Sequence, residues 1–243
     1  MPVSSTDSLN SFDSFKPRVA YRRPLVLTIV ALALLLAWDA SGLDLPLARL
    51  AGTADGFALR DNRLVILLLH EVPRFASMAG VVGLCFAVRW PIGFLRRLAL
   101  RERLQLAVTV LASVAAVSLI KNGSHSSCPW DLEEFGGVAR YVSHWNWGIA
   151  DGGPGRCFPA GHASAAFAFA GGWFVLRHAM PRIARRWLAA AVVMGFVLGL
   201  AQQWRGAHYM SHTLWTAWLC WTLGMVIDIA WPHGADRLKL NES

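Results

Sequence analysis

Charged residues are scarce in this chain. They make up 16% of its 243 residues, whereas hydrophobic residues make up 55%. Because about a quarter of the residues of a soluble domain are charged, the composition argues against an ordinary soluble protein. Internal repeats, coiled-coil heptads and long low-complexity tracts are also absent from the sequence, so solenoid and fibrous classes are not indicated. The sequence instead contains a set of long apolar runs, which indicates an integral membrane protein.

Acidic residues are fewer than basic ones, 15 against 23, and the formal net charge is +8. In a membrane protein such an excess sets topology and favours contact with anionic lipid headgroups. A nucleic-acid partner is therefore not predicted.

Cysteine is also rare, and its four residues form two groups, one in apolar segments and one in a polar loop. Cys85 and Cys220 lie inside apolar segments and are expected to act as small core hydrophobes. Cys128 and Cys157 both lie in the single long polar loop. If that loop is periplasmic, the two could form a disulfide, but the sequence alone leaves bridged and free thiols as equal alternatives.

The apolar runs predict an all-α, integral membrane bundle of six helices, because each run is long enough to approach the thickness of a bilayer. The predicted spans are about 24–43, 64–88, 104–120, 161–176, 187–203 and 209–231. Basic clusters in the 1–23 tail, residues 89–103, residues 177–186 and the 232–243 tail fall on one side. By the positive-inside rule that side is cytoplasmic, which makes loop 121–160 periplasmic in a bacterial-type inner membrane.

Three polar clusters meet at the predicted periplasmic face: Lys121–Pro129, Pro159–His162 and Arg205–His212. A helix that begins near Gly161 would point its free N–H groups and positive dipole end at the loop, which suits a phosphate. His162 in its first turn could donate or accept a proton. The alternative is a histidine that merely caps a membrane helix at the interface.

These clusters resemble the three signature motifs of the type 2 phosphatidic acid phosphatase superfamily, which includes vanadium haloperoxidases and bacterial acid phosphatases. The first family motif is Lys, six residues, then Arg-Pro; Lys121 and Pro129 match, and Cys128 stands at the arginine position. The second motif is Pro-Ser-Gly-His; residues 159–162 match except that Ala160 replaces serine.

The third family motif is Ser-Arg, five residues, His, three residues, Asp. His208 matches the histidine, whereas Gln202 occupies the arginine position and His212 the aspartate position. Together the predicted spans and the motifs in order cover nearly all of the chain past the first helix.

The resemblance implies different chemical roles for the two matched histidines. His208 would be the nucleophile that forms a phosphohistidine, and His162 would protonate the leaving oxygen and then activate water. Positive or N–H groups must hold the phosphoryl oxygens. The candidates for phosphate binding are Lys121, Arg205, Arg156 and Gly161, with Arg205 and Arg156 replacing the two displaced family arginines.

The family aspartate orients the nucleophilic imidazole, and its replacement leaves two possibilities. His212 could orient His208 as an acceptor through one neutral ring nitrogen. Asp131 or Asp151 could supply the missing carboxylate instead. No metal or other cofactor is predicted, because no carboxylate–histidine pair has a convincing ligand spacing.

The sequence therefore predicts a membrane lipid phosphate or diphosphate phosphatase that acts at the periplasmic face. Its partner would be a phosphorylated lipid, and undecaprenyl diphosphate, phosphatidate-type lipids and lipid A all remain open, as does the oligomeric state. A lipid-to-lipid phosphotransferase on the same site and a non-catalytic lipid-binding membrane protein are the alternatives.

Overall fold

The computed structural model describes residues 18–232, with side chains from Tyr21 onward, and the chain is mostly helical. The two predicted tails, 1–23 and 232–243, lie largely outside the described residues. Helix α1, Arg18–Ser41, displays leucine and valine side chains outward, and Leu34 is 67% exposed. Apolar exposure of this extent along a 24-residue helix is what contact with lipid requires.

The segment after α1 is compact and polar, and leads into the second long helix. Its elements are α2 (Asp44–Ala48), the antiparallel strands β1 (Gly52–Thr53) and β2 (Gly56–Phe57), α3 (Arg63–Ile66), a π-helical turn (Leu67–Glu71) and α4 (Val72–Arg89). Asn62 caps α3, because its side-chain oxygen accepts the N–H groups of Leu64 and Val65, both at 3.1 Å.

The second half of the chain supplies the remaining helices. They are α5 (Leu100–Gly123), α6 (Gly161–Phe167), α7 (Gly172–Leu176), α8 (Pro181–Trp204) and α9 (Met210–Ala230), with 3₁₀ turns at Gly93–Arg97, Pro129–Asp131, Glu133–Phe135 and Ala168–Gly171. The last of these turns joins α6 to α7, so that the two form one nearly continuous helical segment.

Five helical segments are long and apolar enough to cross a membrane: Tyr21–Ser41, Arg63–Arg97, Leu100–Gly123, Pro181–Trp204 and Met210–Ala230. The protein is therefore a multi-pass membrane protein. The sixth predicted span coincides with Gly161–Leu176, which is shorter than the others. Because a 3₁₀ turn rises further per residue than an α-helix, this segment reaches about 26 Å.

The Gly161–Leu176 segment lies at the centre of the bundle, against α5, α8 and α9. Its crossing with α9 depends on two facing glycines: a Cβ atom at Gly171 would lie 3.0 Å from the Cα of Gly224. Paired small residues allow two membrane helices to approach this closely. Phe167 and Val175 on the same segment are fully buried.

The bundle has two chemically different ends. Lys121, His162 and His208 lie together at one end, here called the histidine end. Arg177 forms an ion pair of 3.2 Å with Asp228 at the other end. At the histidine end, Asp44 caps α9: its carboxylate accepts the main-chain N–H of Ser211 at 3.0 Å and also the Ser211 hydroxyl.

The long loop between α5 and α6 is held by main-chain bonds and a covalent bridge. Cys128 and Cys157 form a disulfide with a Cα–Cα distance of 5.2 Å. Beside it, the N–H of Arg156 donates to the Ser124 carbonyl at 2.8 Å and the N–H of Cys157 to the Ser126 carbonyl at 2.9 Å. The end of the loop is thus fastened to its beginning, directly above the histidine end.

Candidate active site

The three polar clusters of the sequence converge at the histidine end, although they come from separate parts of the chain. The ring centroids of His162 and His208 are 6.3 Å apart, and those of His208 and His212 are 5.9 Å apart. A Cβ atom placed on Gly161 would be 3.4 Å from Cδ of Lys121, so the lysine lies across this glycine. The end of α5, the start of α6 and the start of α9 therefore form one site.

His208 is almost completely enclosed, with 2% of its surface exposed. Its Nδ1 atom lies 3.5 Å from the Sγ atom of Cys157. Burial, assisted by the positive charge of Lys121, holds the pKa of His208 well below its usual value. The imidazole is therefore neutral at neutral pH, which is the form that carries a nucleophilic lone pair.

His162 stands in the first turn of α6, and its Nδ1 atom is buried without a hydrogen-bond partner among the described residues. Its ring packs against that of His70 in a tilted arrangement, with a centroid distance of 4.0 Å. In the sequence His70 is a polar residue inside an apolar run. The sequence does not connect His70 with His162, so this contact is new from the structure.

His70 lies on the π-helical turn Leu67–Glu71. Its Nδ1 atom is 2.9 Å from the Oε1 atom of Glu71. The buried side chain of Gln202 donates its amide N–H to the Leu69 carbonyl at 3.3 Å, which ties the turn to α8. π-helical turns interrupt the regular α-helical ladder and are frequent at functional sites. The sequence signal was the adjacent His70 and Glu71 inside an apolar run.

Arg205, a candidate phosphate ligand, is engaged in protein hydrogen bonds. Its Nε and Nη2 atoms donate to the Arg60 carbonyl at 3.2 and 2.9 Å, and its Nη1 atom donates to Oε1 of Gln202 at 2.9 Å. Burial lowers the pKa of Arg205, and the Asp61 carboxylate opposes that shift. Gln202, at the position of the family arginine, thus joins Arg205 to the π-helical turn.

Arg156, the second candidate arginine, is exposed and stands apart from the histidines. Its φ angle is 57°, in the left-handed region that L-residues seldom adopt. With Asn122, His125 and Asp151 it lines a polar cavity of about 250 Å³ beside the end of α5. No hydrogen bond or ion pair joins Arg156 to His162 or His208 within residues 21–232.

The two aspartates proposed to replace the family carboxylate brace the loop. Asp151 accepts hydrogen bonds from the N–H and hydroxyl of Ser127 at 2.5 and 2.9 Å. Asp131 accepts the N–H of Cys128 at 3.2 Å, and burial raises the pKa of Asp131. Neither is hydrogen-bonded to His208 in the described part of the chain.

His212 lies one helical turn beyond His208 and is 1% exposed. Its Nδ1 atom is 3.1 Å from the main-chain oxygen of Cys157. On its other side the ring of His144 is 5.7 Å away, and Nε2 of His144 is 3.5 Å from Oδ2 of Asp39. His212 is therefore anchored to Cys157, and its hydrogen bond is to that residue rather than to His208.

One group of potential metal ligands occurs among the described residues, namely Cys128, Cys157 and His208, whose ligand atoms lie within 4.8 Å of one another. The two sulfur atoms are bonded to each other, so they are not available as thiolate ligands. The group therefore does not fit a metal ion, and it instead shows how closely the disulfide approaches His208.

Comparison with protein families agrees with this geometry. A model of the PAP2 superfamily matches residues 102–232, which is more than half of the chain. The chain belongs to the PAP2 superfamily. Searches of curated proteins and of solved structures gave no match. The PAP2 match confirms the resemblance inferred from the three motifs, and it supports phosphatase chemistry of the lipid phosphate type in general.

The matched region begins near the start of α5 and ends just after α9. It therefore contains all three PAP2 motif clusters. It does not contain the π-helical turn, so His70 and Glu71 lie outside the region that the family model matches.

Proposed function

We propose that this protein is a membrane phosphatase that removes phosphate from a lipid phosphate or diphosphate through a phosphohistidine on His208. The observation that carries the proposal is the convergence of Lys121, Gly161, His162 and His208 from three separate segments. Undecaprenyl diphosphate, a phosphatidate-type lipid and lipid A are the substrates to test. No cofactor is invoked.

In the first step a lone pair of His208 forms an N–P bond, and the bond from phosphorus to the leaving oxygen breaks. His162, protonated for this step, gives its proton to that oxygen. In the second step His162 accepts a proton from water, whose oxygen attacks phosphorus. The N–P bond breaks, its electron pair returns to His208, and phosphate leaves.

Lys121 is proposed to hold the phosphoryl oxygens while charge shifts between them. Since Gly161 has no side chain, the lysine lies across the start of α6 and its ammonium is held near both histidines. A fixed positive charge in a partly dehydrated site stabilises a transferring phosphoryl group strongly. Arg205 instead binds Gln202, which binds the π-helical turn that carries His70.

Charge at the far end of the bundle supports a site on the non-cytoplasmic face of the inner membrane. The arginines of that end are Arg22, Arg23, Arg89, Arg96, Arg97, Arg101, Arg103, Arg177, Arg182, Arg185 and Arg186. By the positive-inside rule they face the cytoplasm. The disulfide at the histidine end favours the same orientation, because disulfides persist in oxidising compartments.

A sixth crossing by Gly161–Leu176 is part of this proposal. Gly161 begins the segment beside Lys121, and Arg177, directly after it, binds Asp228 at the opposite end. Its contacts at both ends of the bundle support a sixth crossing by this segment. Cys85 is exposed within α4 rather than in the core as the sequence predicted, so it would be replaced by serine. Introduced cysteines at Ser143 and Ser243 would then show which side of the membrane each loop faces, by labelling with an impermeant maleimide.

The cavity beside Arg156 is proposed to receive the rest of the polar headgroup, such as the second phosphate of a diphosphate. Arg156→Gln should raise KM for a lipid diphosphate more than for the matching monophosphate, whereas Arg156→Lys should keep most of that preference. Arg140→Gln is the matched control, since Arg140 is an exposed arginine in the same loop. Equal changes for both substrates would contradict the assignment.

The decisive experiment is phosphate release by purified protein in detergent, with EDTA present, against a panel of lipid phosphates and diphosphates. Release should persist under chelation and disappear in His208→Ala and in His162→Ala. His178→Ala, an exposed histidine near the far end, should retain activity. Near-normal turnover by either site variant would show that its role is wrong.

The burial of His208 favours one second candidate, a phosphotransferase. A phosphohistidine with 2% of its parent side chain exposed is shielded from water, which would allow transfer to another lipid. Phosphate transfer between paired donor and acceptor lipids, without free phosphate, would select this function. No reaction in either assay would leave a lipid-binding role.

A further inference from the structure

We infer that Cys157, held by its disulfide to Cys128, is the positioning residue for both His208 and His212. The inference deepens the proposed function, because it names the group that orients the nucleophile. It also predicts that the activity depends on the oxidation state of the Cys128–Cys157 bridge.

Two different atoms of Cys157 face the two histidines. Its Sγ atom lies 3.5 Å from Nδ1 of His208, and its main-chain oxygen lies 3.1 Å from Nδ1 of His212. The same sulfur is 3.2 Å from the carbonyl oxygen of Ala207, the residue directly before His208. One half-cystine therefore contacts the backbone before the nucleophile, the nucleophile itself and the histidine one turn later.

Cys157 is well suited to hold a fixed position. It is fully buried, and its N–H donates to the Ser126 carbonyl at 2.9 Å. The disulfide joins it to Cys128, whose own N–H donates to Oδ2 of Asp131 at 3.2 Å. Covalent and hydrogen bonds thus fix both ends of the bridge, and the sulfur that faces His208 has little freedom to move.

These contacts select the tautomer of the nucleophile. A disulfide sulfur has no proton and is a weak acceptor, so the Nδ1 atom of His208 carries the hydrogen and points it at Cys157. Nε2, on the opposite edge of the ring, then carries the lone pair that attacks phosphorus. His212 donates its own Nδ1 hydrogen to the Cys157 carbonyl, so it cannot serve as an acceptor through that nitrogen.

The same bridge accounts for two departures from the family motifs. Cys128 stands where the first motif has arginine, and His212 stands where the third motif has aspartate. In this chain Cys128 forms a disulfide with Cys157, and His212 donates a hydrogen bond to the Cys157 carbonyl. The two unusual residues and the nucleophile therefore meet at one half-cystine.

The first test is the double variant Cys128→Ala with Cys157→Ala, assayed on the best lipid substrate. We expect kcat to fall roughly 100-fold with little change in KM, because a misplaced nucleophile slows the chemical step. Reduction of the unmodified protein with dithiothreitol should give the same loss, and reoxidation should restore kcat. A variant without the two other cysteines, Cys85→Ser with Cys220→Ser, should respond to the reductant in the same way.

A rescue experiment separates positioning from general stability. His212→Asp in the Cys128→Ala, Cys157→Ala background places a carboxylate one turn from His208, where it can accept the Nδ1 hydrogen. Recovery of most of the lost kcat, without a rise in the unfolding temperature, would support the inference. No recovery, or full activity in the reduced protein after labelling has shown both thiols to be free, would overturn it.

A readout besides activity keeps this test separate from the proposed function. In protein labelled with ¹⁵N-histidine, the His208 signals are assigned by their loss in His208→Asn. We expect an Nδ1–H tautomer in the oxidised protein and a mixture of tautomers after reduction. If His208 shows the same single tautomer in both states, the inference is wrong even if the phosphatase activity is established.

Discussion

Two clusters of buried polar side chains lie at opposite ends of the helix bundle, and they differ in how far their hydrogen bonds are satisfied. At the far end, the fully buried Asp228 accepts hydrogen bonds from Gln105 at 2.6 Å, from the Tyr21 hydroxyl at 2.9 Å and from Arg177 at 3.2 Å. Every charge in this cluster has its partner inside the protein.

At the histidine end, several polar atoms lack such partners. Among the described residues, Nδ1 of His162 and the hydroxyl of Tyr209 are buried without a hydrogen bond. Lys121 forms no ion pair in the part of the chain that the structure describes. Unpaired buried atoms also occur at the far end, on the Arg103 guanidinium, but there they do not adjoin a cluster of histidines. Since buried polar groups in proteins are normally paired, unpaired groups beside titratable side chains are typical of a site that a ligand completes.

The comparison predicts opposite effects of substitution at the two ends, and Asp228→Ala should have the largest. Because it leaves Arg177 buried without its partner, it should lower the free energy of unfolding by about 3–5 kcal/mol. The kcat of the protein that remains folded should be unchanged. Unfolding in detergent measures the first quantity, and Asp55→Ala, at an exposed acid, is the matched control.

A loss of activity in Asp228→Ala without a loss of stability would contradict the assignment of the far cluster to the fold. The far cluster would then take part in the chemistry, and the distinction between a satisfied structural cluster and an unsatisfied functional one would fail.

Lys121→Gln should have the reverse effect. If Lys121 holds the phosphoryl group, as proposed, its replacement should lower kcat/KM by about 10²–10³-fold. Stability should stay constant or rise, because a partly buried, unpaired ammonium is costly to dehydrate. Arg63→Gln, at an exposed cation near the same membrane face, should change neither quantity. A marked loss of stability in Lys121→Gln would assign the lysine to the fold.

The central part of the site could be predicted from the sequence because it depends on spacing. Lys121 ends one apolar run, Gly161 and His162 begin another, and His208 precedes a third, so membrane topology alone brings them to one face. The same reasoning indicated helices over most of the chain, since length and hydropathy determine where a membrane helix forms.

The surroundings of the site could not be predicted, because they depend on tertiary contacts. The π-helical turn directs His70 onto His162, and no hydrophobic period reveals such a turn. The left-handed φ angle of Arg156 directs its side chain into a cavity rather than toward the histidines. The approach of Cys157 to His208 depends on how the loop folds back over the bundle.

His70→Ala tests whether the histidine end extends beyond the three motifs. Loss of the His70 ring frees His162 to turn, and we expect kcat to fall about tenfold, less than for direct displacement of a reacting group. Arg74→Ala, one turn further along the same helix and mostly exposed, is the control. If His70→Ala has normal kcat while His162→Ala is inactive, His162 is held by other contacts.

The smallest predicted effect, that of Tyr209→Phe, is the sharpest test of the comparison. Burial raises the pKa of Tyr209, so its hydroxyl stays protonated, yet this hydroxyl has no hydrogen-bond partner in the described residues. Its removal should therefore raise the free energy of unfolding by up to about 1 kcal/mol. If substrate supplies the missing partner, KM should also rise, by about two- to tenfold for one net hydrogen bond.

Tyr141→Phe, in the neighbouring and more exposed ring, should change neither the free energy of unfolding nor KM. A gain in stability together with a loss in affinity would be the mark of a polar group kept for a ligand, whereas a gain in stability with unchanged KM would show that the Tyr209 hydroxyl is simply unsatisfied.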